Sequence, residues 1–573
     1  MTTANRLLRV LAIALLQAAG SAALAADVTW TTPGDGFWDD PAHWPGGVLP
    51  TDADDVTVDL GGAVAIVRQL PGAPSSPLSR YTVASLLAKS PFEHAGGSLL
   101  VRGDATFDDT FNWSGGVIHV DSSIPSGTWT FRKGLHLTAP GLVGMNAGAV
   151  ELQGTSIIEG GVGILFGAVP VHIASGATLD IRSGDRFAVQ SSLINDGAID
   201  RTAGSGTFEI FLRGGGNQGA VRNRTGVLSF ISGFDTLTHA GSFSVDAGAE
   251  LRFSGAHSFA NTLSGAGNVT FSQFHDFTVD ASRFALDGTI TLENGAKGVW
   301  SGDGSIRNLR FNSANFLPQG QVTVLNRARV DGIGFVIGGA SSRTRFADGL
   351  DLHGNFIVNS GLVELGGDTA VQGNVGLGVG NDATLTVLSG ASLRVTNDAT
   401  PTGTGGIFGP GRFINQGIVQ RDTGTGEFAF SMSEFINEGR LVLKSGRVSA
   451  AVDFQQTADG TLAVDLGGFA GPFAVAGDAR LDGLLEVRFA DGFLPALGDT
   501  FELMTFGARS GAFALSTAGE AGRAGYTYAL HYADHSLAIE VTGLAAPVPE
   551  PATHALFAAG LALVVSFRCR SSG

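Results

Sequence analysis

The chain has a single cysteine, Cys569, close to its C-terminus, so the body must fold without disulfides. Lysine is almost as scarce: Lys89, Lys133, Lys297 and Lys444 stand alone, none in a run, and the formal net charge is −17. That balance argues against a nucleic-acid partner and favours solubility. No Walker loop, HExxH or GxSxG occurs. No helical hydrophobic period of useful length lies between the two chain ends, which disfavours an α/β fold.

Formal matches to chemical motifs dissolve on inspection. The GxGxxG at Gly214 to Gly219 is followed by Val221-Arg222-Asn223-Arg224, where no helix starts, and reads as a solenoid loop. His531 and His535 would lie about 13 Å apart on a strand, too far to share one metal ion. The doublets Asp39-Asp40, Asp54-Asp55 and Asp108-Asp109 would point to opposite faces of a strand, so no acid pair is visible within one segment. No catalytic residue, metal ligand or cofactor is assigned.

What the chain has in quantity is glycine, 85 residues and about twice the usual share. Hydrophobic residues remain at 43%, with phenylalanine the main aromatic. The pattern apolar-x-apolar, Gly-Ala, apolar-x-apolar recurs around Gly148-Ala149, Gly176-Ala177, Gly248-Ala249, Gly295-Ala296 and Gly390-Ala391. Alternation on both sides marks two short half-buried strands, and the glycine supplies a turn conformation closed to bulky residues. A second phrase, apolar-x-Asn-x-Gly, occurs at Asn195, Asn415 and Asn437, the last two 22 residues apart. That interval suits one coil of a parallel β-helix, with Asn and Gly at the corners and stacked Asn side chains forming ladders. The expected fold class is therefore all-β, a parallel β-solenoid.

The ends carry address signals. Arg6 and Arg9, the apolar stretch Leu7 to Leu16 and Ala23-Leu24-Ala25 form a secretory signal peptide, with cleavage expected after Ala25. At the other end Val548-Pro549-Glu550-Pro551-Ala552-Thr553 precedes an apolar run, His554 to Phe567, and the basic tail Arg568-Cys569-Arg570. The prolines end any structure entering from the body. The run is short for a membrane span, and the arginines would stay on the cytoplasmic side. This tripartite segment resembles the PEP-CTERM sorting domain of Gram-negative bacteria. The resemblance implies a transient stay in the inner membrane, recognition and removal by a transpeptidase-like sorting protease, and a common association with exopolysaccharide.

The organisation expected is a signal peptide (1–25), a Trp-rich N-terminal cap module with Trp30, Trp38 and Trp44 (26–60) and a Gly-rich solenoid (61–450). A C-terminal solenoid segment or cap (451–543), a linker with Pro-Glu-Pro (544–551) and a transmembrane sorting segment with its basic tail (552–573) would follow. The cap phrases are similar to those of autotransporter-passenger-like β-helix proteins. Trp113, Trp129 and Trp300 are the candidate glycan contacts, since an exposed indole stacks on a sugar ring; burial in the core is their alternative. The function expected is a non-catalytic cell-surface or extracellular-matrix protein, in adhesion or exopolysaccharide organisation. Its rivals are a polysaccharide hydrolase or lyase, which charged side chains converging on three adjacent rungs would favour, and a lectin-like glycan binder.

Overall fold

The computed structural model describes residues 26–544, apart from 69–79, 120–126, 397–405, 517–525 and shorter gaps at 141–142, 146–147, 160–163, 167–168, 184–185, 190–191, 234, 274, 374, 468, 470, 490–492 and 494. The signal peptide with Ala23 and Ala25, and the segment carrying Val548 to Thr553, lie outside the described residues. Among those described, no helix is long and apolar enough to cross a membrane. Two compact units divide at Leu325/Asn326, inside the stretch expected to be one body.

In the first unit the chain winds as a parallel β-solenoid. One nine-stranded sheet shows why: Asp27–Trp30, Asp55–Val58, Ser85–Ala88 and their successors to Gly214–Asn217 stack in parallel. Strand period two sends alternate residues inward, and register keeps them in columns. One column runs Trp30, Val58, Ala88, Phe107, Phe131, Leu152, Ile173, Asn195, Asn217. Phe107 and Phe131 stack face to face with centroids 5.2 Å apart, close to the rung spacing of about 4.8 Å.

The Gly-Ala phrases are corners, as the sequence implies. At Gly176 and Gly390 φ is +81° and +83°, and the Ala177 and Ala391 amides close the turn onto Ala174 and Leu388 carbonyls at 2.9 Å. The alanine methyls then point inward, 3% and 1% exposed. The Gly214-to-Gly219 motif is a strand rather than a loop: Gly214–Asn217 pairs in register with Ser192–Asn195. A Cβ at Gly219 would collide with the Gly197 carbonyl one coil away, so close stacking, not phosphate binding, accounts for glycine there.

The first rung closes on its own aromatic cluster. Two 3₁₀ turns, Pro41–His43 and Pro45–Gly47, carry Trp44 over the rung. Trp30 stacks on His43 at 4.6 Å, Trp44 packs edge-on to Trp38 at 4.9 Å, and Trp44 Nε1 donates to the Trp38 carbonyl at 2.8 Å. The three indoles are at most 3% exposed, which removes the open first rung from edge-to-edge pairing.

The second unit is also a parallel solenoid, with coils such as Arg412–Asn415, Glu434–Asn437 and Phe454–Gln456 in register. Parallel coiling continues through Arg509–Gly511 and Ala514–Ser516. Then Tyr526–Tyr532 and Ser536–Leu544 form a hairpin whose second strand lies antiparallel to Thr500–Thr505. These are the only antiparallel pairs among the described strands, and they end the parallel stacking.

Inside both units asparagines form ladders. Asn195 Nδ2 donates to Asn217 Oδ1 at 2.6 Å, and Asn415 Nδ2 to Asn437 Oδ1 at 2.8 Å. Asn437 Nδ2 passes the chain to Gln456 Oε1 at 2.9 Å. In the first unit the line continues through buried histidines. The Asn217 amide donates to His239 Nδ1 at 3.2 Å, which places the His239 proton on Nε2. That nitrogen donates to His257 Nδ1 at 3.0 Å, and His257 Nε2 to the Ser254 carbonyl at 3.2 Å. Both imidazoles are neutral in this arrangement and ringed by Phe230, Phe243, Phe253 and Phe259.

Candidate functional site

The aromatic candidates are corrected by the structure. Trp113, Trp129 and Trp300 are all 0% exposed. Each sits at an inward position of its strand, Trp113 in register with His94 and Leu137, Trp129 with Ala105 and Val150. Their indole faces pack against core aromatics such as Phe107 and Phe316, so no ring is open to a sugar.

The acid doublets are structural. Asp40 caps the 3₁₀ turn through the Ala42 amide at 2.9 Å, Asp54 takes the Thr51 amide at 2.7 Å, and Asp108 and Asp109 pair with Arg132 and Lys133 one coil on at 2.9 and 2.8 Å. His531 and His535 go separate ways, to Glu540 at 2.7 Å and to the Gly507 carbonyl at 2.6 Å. No group of metal-ligating side chains occurs among the described residues.

The charged side chains that do converge come from different coils of the second unit. Ile418–Arg421, Arg440–Leu443, Thr461–Leu466 and Leu484–Phe489 stack in parallel, with Val419, Leu441, Leu462 and Leu485 in one inward column. On the opposite face, residues offset by one collect Arg440, Asp465, Glu486 and Arg488, and Lys444 follows just beyond its strand. Glu486 is held by two arginines, Arg440 Nη1 and Arg488 Nε, each at 2.7 Å. Lys444 Nζ pairs with Asp422 at 3.0 Å. Val442 and Ala463, on the same face, are 2% and 0% exposed, so the cluster has a dry floor.

The two central carboxyls are driven apart. Hydrogen bonds from Arg440 and then Arg488 hold Glu486 below the usual carboxylate range against a burial penalty. Burial raises Asp465, with Arg488 and Lys444 opposing and Glu486 reinforcing the rise, and Asp465 Oδ1 is buried without a hydrogen-bond partner. Two neighbouring carboxyls whose proton affinities are pushed in opposite directions are an arrangement of the kind that exchanges protons with a ligand.

Two recurring devices escaped the sequence reading. Asp or Asn at a corner accepts the first amide of the next coil: Asp104 from Thr128 at 2.8 Å, Asn268 from Thr289 at 2.9 Å and Asp303 from Gln321 at 2.7 Å. Arg201 is fully buried and donates to the Val227, Gly204 and Gly206 carbonyls, which fastens a corner from inside. Its signal was visible, since Asn-x-Gly-x-Ile/Val-x-Arg-x-x-Gly-x-Gly occurs at Asn195 to Gly206 and again at Asn415 to Gly426.

Comparison with known proteins bears on the C-terminus. The PEP-CTERM protein-sorting motif matches residues 547–571, the segment whose Pro-Glu-Pro and basic tail the sequence singles out. A motif of this kind implies an exported protein sorted through its C-terminus. No curated protein and no solved structure matches the chain, so the likeness to autotransporter passengers has no support beyond the phrases themselves.

Proposed function

We propose that this chain is a non-catalytic protein of the cell surface or extracellular matrix, released or anchored through its C-terminal sorting segment and acting in adhesion or exopolysaccharide organisation. The observation that carries the reading is the motif at residues 547–571 joined to a solenoid body. A body built from stacked coils offers long faces of repeated side chains, which suits contact with extended polymers. A sorting protease acting at the Pro-Glu-Pro segment is the implied partner, and the inner membrane a transient one. Alanines in place of Pro549, Glu550 and Pro551 are expected to block processing and leave the protein in the membrane fraction. Processing and location that match the unaltered protein would contradict the reading.

A second reading, cleavage of a polysaccharide, draws on one observation: Asp465 and Glu486 lie on adjacent coils with opposed proton affinities. It requires that the protein release new reducing or unsaturated ends from exopolysaccharide, and that Asp465→Asn abolish this. The preferred reading expects no such release from the unaltered protein.

A further inference from the structure

A different face of the second unit carries a concave groove. Phe435 stands in register with Phe454, and Gln455 with Arg480, across three successive coils. The groove over them encloses about 320 Å³ and is lined by Ser433, Glu434, Asp453, Gln455 and Arg480, with Phe435 and Phe454 fully buried as its floor. The volume lies near the lower bound for small-ligand pockets.

The lining groups differ in what they have left to offer. Glu434 is held by Arg412 one coil earlier at 2.8 Å. Asp453 Oδ1 accepts the Asp478 amide at 2.8 Å, and Ser433 Oγ donates to the Gly411 carbonyl at 2.9 Å. The Arg480 guanidinium, by contrast, has no hydrogen bond or ion pair with any described residue. A guanidinium presents a planar fork that matches one carboxylate with two parallel hydrogen bonds. Beside it the Gln455 amide gives a donor and an acceptor, and the Asp453 and Glu434 carboxylates accept from hydroxyl groups. One position for an anion surrounded by partners for hydroxyls is the complement of a sugar acid. A divalent cation fits poorly, because it needs six or more oxygens and both carboxylates are partly committed.

We propose that this groove binds an acidic polysaccharide at a uronate residue, Arg480 taking the sugar carboxylate and Gln455, Asp453 and Glu434 its hydroxyls. The proposal names a ligand class for the exopolysaccharide association above and rests on that reading.

The test is calorimetric titration of the exported protein with a short oligogalacturonate, with its methyl ester, and with the acid in excess chelator. The acid is expected to bind, and the ester at least about tenfold more weakly, the cost of losing a charge-assisted hydrogen-bond pair. Arg480→Gln, with its melting temperature unchanged, should bring acid and ester to equal affinity, while Gln455→Ala should weaken both. Equal binding of acid and ester by the unaltered protein, or full retention of the preference in Arg480→Gln, would overturn the uronate assignment and leave the broader reading standing. Loss of binding in chelator would overturn it in favour of a cation site. Failure of the acid, the ester and the host's own exopolysaccharide to bind would overturn both.

Discussion

The buried histidine pair makes a quantitative test of the first unit. Burial pushes His257 down to about 4 from an ordinary value of 6.5, and burial followed by the adjacent His257 pushes His239 well below its own. A group whose folded value is depressed contributes stability that is fully present above the unfolded value and is lost as pH falls toward the folded one. The window here runs from about pH 6.5 down to about pH 4. For His257 alone the linkage amounts to about 2 kcal/mol lost between pH 7.5 and pH 5, and about 3 kcal/mol by pH 4. The perturbation is His257→Phe, whose ring joins Phe253 and Phe259 but leaves His239 Nε2 without its acceptor. It should cost stability at neutral pH and flatten the pH dependence. Urea unfolding followed by tryptophan fluorescence is the assay, because all six tryptophans lie before residue 325 and report this unit alone. Carboxylates titrate in both proteins, so the difference between the two pH slopes isolates the histidine. A variant that lost as much stability between pH 7.5 and pH 5 as the unaltered protein would refute the claim of a neutral buried imidazole.

Other perturbations follow from the same contacts. Trp44→Ala removes the lid of the first rung and the donor to the Trp38 carbonyl, and should cost about 3–5 kcal/mol in the same fluorescence-detected unfolding. Asn437→Ala breaks the middle of a three-residue ladder, leaving Asn415 Nδ2 only its bond to the Arg440 carbonyl and Gln456 Oε1 without its donor; a loss of about 2–4 kcal/mol in the second unit, read by hydrogen exchange of residues 412–466, is expected. Gly219→Ala, whose methyl would meet the Gly197 carbonyl, should unfold the region, while Gly248→Ala, open on all sides with φ at +83°, should cost only about 1 kcal/mol of backbone strain. His172 contributes with the opposite sign from His257. Hydrogen bonds to Asp196 and Glu151 outweigh its partial burial and raise it, so its stabilisation is present below about pH 6.5 and lost as pH rises, and His172→Gln should remove a fall in stability on the alkaline side.

How much the sequence discloses depends on whether a feature repeats along the chain or forms only across coils. The Gly-Ala corners and the Asn415–Asn437 ladder are legible because each coil carries its own copy of the signal. Trp113, Trp129 and Trp300 mislead for a related reason. A strand residue's face is fixed by parity with its neighbours, and Trp113 falls at an inward position of the strand Phe111–His119 even though Ser114-Gly115-Gly116 follows it. The Asp465–Glu486 cluster and the Arg480 groove are invisible in one dimension. Their members come from different coils, Asp465 and Glu486 being 21 residues apart and Arg440 and Glu486 46, and coil lengths vary enough that spacing alone does not align them. The asparagine line at Asn217 changes to histidine at His239, a substitution that no periodic pattern anticipates.

The stacking itself is tested most directly by cross-linking at a registered pair. Ser392 and Ile418 are neighbours on the outer face of adjacent coils, while Val419 points inward. With Cys569 replaced by serine, Ser392→Cys with Ile418→Cys should form an intramolecular disulfide on mild oxidation, and Ser392→Cys with Val419→Cys should not. Equal cross-linking of both pairs, or closure of the second alone, would contradict parallel, in-register coiling.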